Sequence, residues 1–128
     1  MRRGPDGIDH SLVALGAALA GLSVSLGAFG AHALKGRLGQ AQLGWWQTGV
    51  QYQMWHALAV LALGLCGLRS ARLSAWMLAG GGIVFSGTLY AMALGAPLWL
   101  GAVTPLGGLL MIGGWALLAW RALQARSN

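Results

Sequence analysis

The chain has 128 residues, of which 57% are hydrophobic and only 8% are charged. Soluble globular proteins carry about 25% charged residues, so this composition indicates a protein of the lipid bilayer. A formal net charge of +6 comes from basic residues scattered between apolar runs. Because they form no basic cluster, we expect no nucleic acid partner. The lone Cys66 excludes an intrachain disulfide and a thiolate metal cage.

The first long apolar run covers residues 11–34 and follows a short polar leader, residues 1–10. It is longer than the roughly 7 to 15 apolar residues of a signal peptide, so we expect an uncleaved first spanning helix. Small residues recur along it at four-residue spacing, which lets helix backbones approach closely in lipid. These residues form two rows: Ala17, Gly21 and Ser25, and Ser23, Gly27 and Ala31.

Residues 35–48 follow this run and combine two cations with the pair Trp45 and Trp46. Leu38, Ala41 and Trp45 are spaced at i, i+3 and i+7, which favours a short amphipathic helix in the headgroup region. Indole rings prefer the membrane interface and would set the depth of this helix. We therefore predict a short interfacial amphipathic helix between the first and second spans.

The remaining apolar segments predict an all-α membrane protein with a four-transmembrane-helix bundle. A span needs about 20 residues, so the chain has room for four spans in one domain, residues 1–128. No charge occurs from residue 73 to residue 120, and the strongest break there is Gly95-Ala96-Pro97, which predicts a helical hairpin. Pro105 falls inside the last helix and is expected to kink it. The predicted spans are residues 11–34, 51–68, 73–94 and 98–121.

The basic residues predict the orientation of these spans. Four spans place both termini and the second loop on one side of the membrane. That side carries six basic residues against two on the other: Arg2, Arg3, Arg69, Arg72, Arg121 and Arg126, against Lys35 and Arg37. Because cytoplasmic loops are enriched in Lys and Arg, we expect both termini in the cytoplasm.

Three stretches taken together resemble one known family. They are GAFGAHAL at residues 27–34, TGVQYQMWHA at residues 48–57, and FSGTLY at residues 85–90 followed by GAVTPLGG at residues 101–108. In this order they are similar to the domain of unknown function 423 family of small bacterial inner-membrane proteins, and the similarity covers nearly the whole chain. The resemblance implies a four-helix membrane protein whose biochemical role is not established.

The stretch that opens the second span carries the densest hydrogen-bonding chemistry. At 100° per residue, Tyr52, Gln53 and His56 share one helix face. His32 ends the first helix, so His32 and His56 would together form a haem or metal site, with Tyr52 and Gln53 as further contacts. The alternative is that His56 hydrogen-bonds Tyr52, Gln53 or a backbone carbonyl, and we favour it.

Further polar residues on the third and fourth predicted helices would extend this site. Ser86 and Tyr90 share a face of the third helix, and Thr104 lies near the outer end of the fourth. Contacts between helices are the interpretation that we favour for them. The spans carry no charged residue except at their ends, which argues against proton-coupled transport. Both acids lie in the leader, which excludes a Ser-His-Asp triad.

Three functions follow from these patterns. We favour a non-enzymatic membrane protein that packs against membrane lipids and against itself or a larger complex. The second hypothesis is a binding protein for haem, copper or a quinone near His32 and His56. The third is a membrane enzyme of lipid or quinone chemistry.

Overall fold

The computed structural model describes residues 7–127, which form an all-α fold with four long helices. These helices are α1 (His10–Phe29), α2 (Gln40–Cys66), α3 (Arg72–Ala93) and α4 (Thr104–Ala125). A π-helical turn, Gly30–Leu34, continues α1, and two 3₁₀ turns, Arg69–Ala71 and Leu98–Ala102, precede α3 and α4. Residues 1–6 of the predicted leader and Asn128 lie outside the described residues.

The helices pack in chain order, α1 on α2, α2 on α3 and α3 on α4. Three segments are long and apolar enough to cross a membrane: His10–Leu34, Arg69–Ala93 and Leu98–Ala125. Helix α2, with 27 residues, is also long. Polar residues lower its hydropathy, but Gln53 and His56 among them are buried. The amino-acid composition of α2 thus suits a helix that packs between two others.

Glycines allow close approach at two of the helix interfaces. A Cβ built on Gly16 of α1 would lie 2.6 Å from the Leu61 nitrogen of α2, and one on Gly107 of α4 would lie 2.6 Å from the Phe85 nitrogen of α3. Of the predicted row Ser23, Gly27 and Ala31, Ser23 is fully buried and bonds the Val50 carbonyl of α2, Gly27 is half-buried, and Ala31 is exposed. The residues of the other row, Ala17, Gly21 and Ser25, are exposed.

Helix α2 begins at Gln40, well before the predicted start at residue 51. The predicted interfacial helix is therefore not a separate element, because residues 40–48 form the first turns of α2 and residues 35–39 are not helical. Trp46 supplies the physical reason. It is only 3% exposed, and its indole N–H donates to the Leu26 carbonyl of α1 at 2.8 Å. This contact holds Trp46 inside the bundle, against α1.

Helix α4 begins at Thr104, so Pro105 lies in its first turn. The predicted kink inside the fourth helix is therefore wrong, and the residues before it form the 3₁₀ turn Leu98–Ala102. Proline lacks an N–H and suits a first turn, where that N–H has no partner within the helix. The Thr104 hydroxyl donates to the Leu100 carbonyl at 3.1 Å. It also lies 2.7 Å from the Thr88 hydroxyl of α3, which anchors the start of α4.

Asp9 closes the opposite end of the bundle. Its carboxylate caps α1 by accepting the Leu12 N–H at 3.3 Å, and it lies 3.1 Å from Nε of Arg72 at the start of α3. Its own N–H donates to the Gly64 carbonyl of α2 at 3.0 Å. One residue of the predicted polar leader thus ties three helices together.

Candidate functional site

His56 of α2 is held by hydrogen bonds at both ring nitrogens. Nδ1 lies 2.8 Å from the Tyr52 carbonyl oxygen one turn earlier, and Nε1 of Trp115 in α4 lies 3.0 Å from Nε2. A carbonyl only accepts and an indole N–H only donates, so the proton is on Nδ1 and Nε2 is the acceptor. The imidazole is therefore neutral, and both nitrogens are used within the protein.

Gln53, one turn before His56, links α1, α2 and α3. Its Nε2 donates to the Leu19 carbonyl at 2.9 Å, and its Oε1 accepts the Tyr90 hydroxyl at 2.7 Å. Because the Leu19 carbonyl cannot donate, these partners fix the orientation of the amide. The side chain is 6% exposed, so this three-helix contact lies within the bundle.

Two serines extend the same pattern. Ser23 of α1 donates to the Val50 carbonyl at 2.8 Å, and Ser86 of α3 donates to the Gly49 carbonyl at 2.7 Å. Carbonyls of consecutive residues of α2 are thus bonded from the two helices that flank it. Such bonds between membrane helices are each worth roughly 0.6 to 2 kcal/mol.

The side chain of Tyr52 joins this region through contacts of its aromatic ring. Its ring centroid lies 4.6 Å from that of Phe85 in α3 and 5.2 Å from that of Trp55. It also stacks parallel to the His56 imidazole at 6.1 Å. Three of the four predicted site residues, Tyr52, Gln53 and His56, are therefore neighbours, although Gln53 contacts α1 and α3 and His56 contacts α4.

The fourth predicted residue, His32, lies elsewhere. It is exposed in the π-helical turn that ends α1. Since Gln53 is bonded to Leu19, His32 is thirteen residues (32 − 19) further along α1 than the level of Gln53, a distance of roughly 20 Å at 1.5 Å per residue. The structure therefore does not bring His32 and His56 together. Within residues 7–127 there is no group of three or more His, Cys, Asp or Glu side chains that could hold a metal ion.

Trp115, the partner of His56, was not identified as a site residue from the sequence. A signal for it was present, because Trp115 lies near the middle of α4, whereas tryptophans of membrane helices concentrate at the two interfaces. An indole in mid-span needs an acceptor for its N–H, and the histidine of α2 provides one. Tyr90 was noted as a candidate, and its partner is Gln53. Thr104 bonds Thr88 and Leu100 instead of joining this cluster.

The sequence profile of a protein family of unknown function, DUF423, matches residues 26–108. The chain belongs to this family. The UPF0382 membrane protein YwdK of Bacillus subtilis is 43% identical over 117 residues, which cover 88% of this chain and 95% of the relative. The UPF0382 inner membrane protein YgdD of Escherichia coli K12 is 42% identical over 117 residues, which cover 86% of this chain and 88% of the relative.

A third relative, the UPF0382 membrane protein SH2409 of Staphylococcus haemolyticus, is 43% identical over 109 residues, covering 83% of this chain and 89% of the relative. No solved structure is significantly similar to the chain. The family resemblance drawn from the three sequence stretches is confirmed. The relatives' names and the three apolar helices agree that this DUF423 member is a membrane protein.

Proposed function

We propose that this DUF423 protein is a non-enzymatic protein of the bacterial inner membrane that works by packing against itself or a larger membrane complex. The observation that supports this role most strongly is the use of the buried polar side chains. Ser23, Gln53, His56 and Ser86 all bond to neighbouring helices or to their own helix. A general base or nucleophile must reach its substrate with a reactive atom, and these bonds occupy the reactive atoms of His56 and Ser86.

The lipid-facing surfaces of the two outer helices are available for such packing. Helices α1 and α4 are buried along a smaller share of their apolar segments than α3 is. Val24 of α1 is 63% exposed and Ile112 of α4 is 65% exposed. Contacts between membrane helices rely on shape and close approach, since lipid tails are as apolar as these side chains. A partner helix that packs on α1 or α4 would therefore contact apolar side chains, and the fit between the two surfaces would determine the strength of the contact.

Photo-crosslinking tests this role. A benzophenone amino acid replaces Val24 in one variant and Ile112 in another, and cells are irradiated before membranes are solubilised. We expect a discrete protein adduct from at least one position, at twice 13.2 kDa for self-association or at a larger fixed mass for a complex. The same variants without irradiation are the control. Lipid adducts alone at both positions would count against the proposal.

The arrangement of the helices also supports four spans with both termini in the cytoplasm. Helix α2 runs antiparallel to α1, because Trp46 bonds Leu26 near one end and Asp9 bonds Gly64 near the other. A helix of this length alongside α1 crosses the same thickness of membrane. With α2 counted, the basic residues divide six against two, which favours cytoplasmic termini.

A haem or copper role at His56 has less support. Both imidazole nitrogens are already bonded, and a metal would have to displace the Trp115 N–H or the Tyr52 carbonyl. His32 supplies no second ligand at that depth. A membrane enzyme of lipid or quinone chemistry would need a reactive group, and the contacts of Gln53 and His56 are those of structural residues.

A further inference from the structure

A cavity of about 190 Å³ lies between α1 and α3, with α2 as its floor. Leucines of α1 form one wall, Gln53 and His56 lie on the floor, and α3 forms the other wall from Leu78 to Tyr90. An apolar protein cavity of about 150 Å³ is large enough to bind benzene. This cavity therefore has room for one substituted six-membered ring.

The cavity is closed toward both membrane surfaces and open toward lipid. On the side where α1 starts, it is closed by a buried cluster that includes Leu12, Val60 and Leu78. On the other side it is closed by a second cluster, centred on Trp46 and packed against Tyr90. Leu22 and Ile83 line its rim, and each is 50% exposed. An occupant must therefore enter sideways, from the hydrocarbon region of the bilayer.

Among the side-chain hydrogen-bond donors that line the cavity, one has no acceptor within residues 7–127. Ser86 gives its proton to Gly49, Tyr90 gives its proton to Gln53, and the single N–H of His56 faces the Tyr52 carbonyl. An amide NH₂ has two donors, and Gln53 uses one of them on Leu19. Among the described residues that line the cavity, the second N–H of Gln53 is the remaining donor. In hydrocarbon an unpaired donor is costly, so an acceptor oxygen is the group that fits here.

The depth of Gln53 in the bilayer limits which molecules could supply that acceptor oxygen. Gln53 is thirteen residues from each end of α2 (53 − 40 and 66 − 53), which places it at mid-depth in the bilayer when α2 spans the membrane as proposed above. The hydrocarbon core is about 30 Å thick, so the ester carbonyls of phospholipids lie about 15 Å away. The carbonyl must belong to a molecule that lies within the hydrocarbon itself.

We propose that this cavity binds the ring of a lipid-soluble quinone, with the second amide N–H of Gln53 donating to a quinone carbonyl. The flat ring lies between the leucines of α1 and the wall of α3, and the isoprenoid tail leaves past Leu22 and Ile83 into lipid. This goes beyond the packing role, since it assigns a ligand to the interior of the bundle. It is a binding site, and it requires no redox step.

Two probes of matched tail length test the carbonyl contact on the purified full-length protein in detergent. Decylubiquinone carries the ring carbonyls, and decylbenzene does not. We expect a saturable rise in melting temperature with decylubiquinone. Decylbenzene should bind at least about tenfold more weakly, which corresponds to about 1.4 kcal/mol. Equal apparent dissociation constants for the two probes, or no saturable effect of decylubiquinone, would overturn the proposal.

A pair of glycine variants tests the location. Gly87 lines the cavity, and a Cβ there would meet nothing within 4 Å, so Gly87→Leu should fill space without a clash. Gly21→Leu is the matched control, on the exposed face of α1 with equally open surroundings. We expect Gly87→Leu to weaken decylubiquinone binding at least tenfold and Gly21→Leu to leave it unchanged. If Gly87→Leu does not fold, Ile83→Phe at the rim takes its place. Undiminished binding in the cavity variant would refute the site.

Discussion

The hydrogen bond from Trp115 to His56 joins α4 to α2 near the middle of both helices. It also sets the tautomer of His56, because Nε2 must be unprotonated to accept. The sequence favoured a hydrogen bond from His56 to Tyr52, Gln53 or a backbone carbonyl, so that replacing His56 would leave Tyr52 or Gln53 without a partner. The structure shows that the group left unpaired by such a substitution would be the Trp115 N–H. The Tyr52 carbonyl would keep a partner, because it also accepts the backbone N–H at position 56 within α2.

Trp115→Phe keeps an aromatic ring on α4 but removes the N–H, leaving His56 Nε2 without its donor. We expect it to lower the free energy of unfolding by about 1 kcal/mol, within the range measured for hydrogen bonds between membrane helices. Trp120→Phe is the control, since Trp120 lies on the same helix and is 55% exposed. Unfolding in mild detergent with added denaturing detergent provides the measurement.

A double-mutant cycle makes this test specific to the pair. If the bond is direct, His56→Leu should cost less in the Trp115→Phe background than in the wild type, because the indole N–H is no longer left unpaired. Additive effects of the two substitutions would show that Trp115 and His56 act independently, against the contact described here.

At the scale of the helix, close packing of α3 and α4 depends on a few glycines. Gly107 faces the backbone of α3, where a Cβ would lie 2.6 Å from the Phe85 nitrogen and 2.7 Å from the Gly81 carbonyl oxygen. These are backbone atoms, which cannot move aside by changing rotamer. Its neighbour Gly108 is different, because a Cβ there would be 3.8 Å from the Phe85 ring, an ordinary contact.

Gly107→Ala should therefore push α4 away from α3 and lower the free energy of unfolding by about 1 to 3 kcal/mol, the usual cost of overpacking. Gly108→Ala should be neutral or slightly stabilising, because alanine is a better helix former than glycine. Thermal melting of the two purified variants compares them directly. Similar losses for both would mean that helix propensity or lipid contact, rather than close approach, governs this interface.

The helices themselves were largely predictable from apolar length and breaks. Helix α3 was expected over residues 73–94 and is Arg72–Ala93. The start of α2 was not predictable in the same way, since the amphipathic spacing around Trp45 is typical of an interfacial helix. The burial of Trp46 against α1 depends on a contact distant in sequence, as do the bond of Gln53 to Tyr90 and the separation of His32 from His56. Periodicity identifies a polar face, but it does not show which helix that face meets.

At the scale of the whole molecule, the membrane topology depends on whether α2 crosses the bilayer. By length and composition, three helical segments of residues 7–127 can cross a membrane, and α2 is not among them. Its polar residues explain this, although two of them, Gln53 and His56, are buried and bonded within the bundle. If α2 crosses, the first and second loops lie on opposite sides. If it does not, those loops share a side and the two termini are on opposite sides.

Reporter fusions distinguish these arrangements. We expect a fluorescent protein fused after Asn128 to fluoresce, since it folds in the cytoplasm, and alkaline phosphatase inserted after Gly36 or Ala96 to be active, since it needs the periplasm. The same phosphatase inserted after Gly67 should be inactive, because we expect the turn at the end of α2 to lie with Arg69 and Arg72 on the cytoplasmic side. Activity after both Gly36 and Gly67 would show that α2 does not cross. A phosphatase active after both Gly67 and Asn128, and silent after Gly36 and Ala96, would keep four spans but reverse the orientation that the basic residues predict.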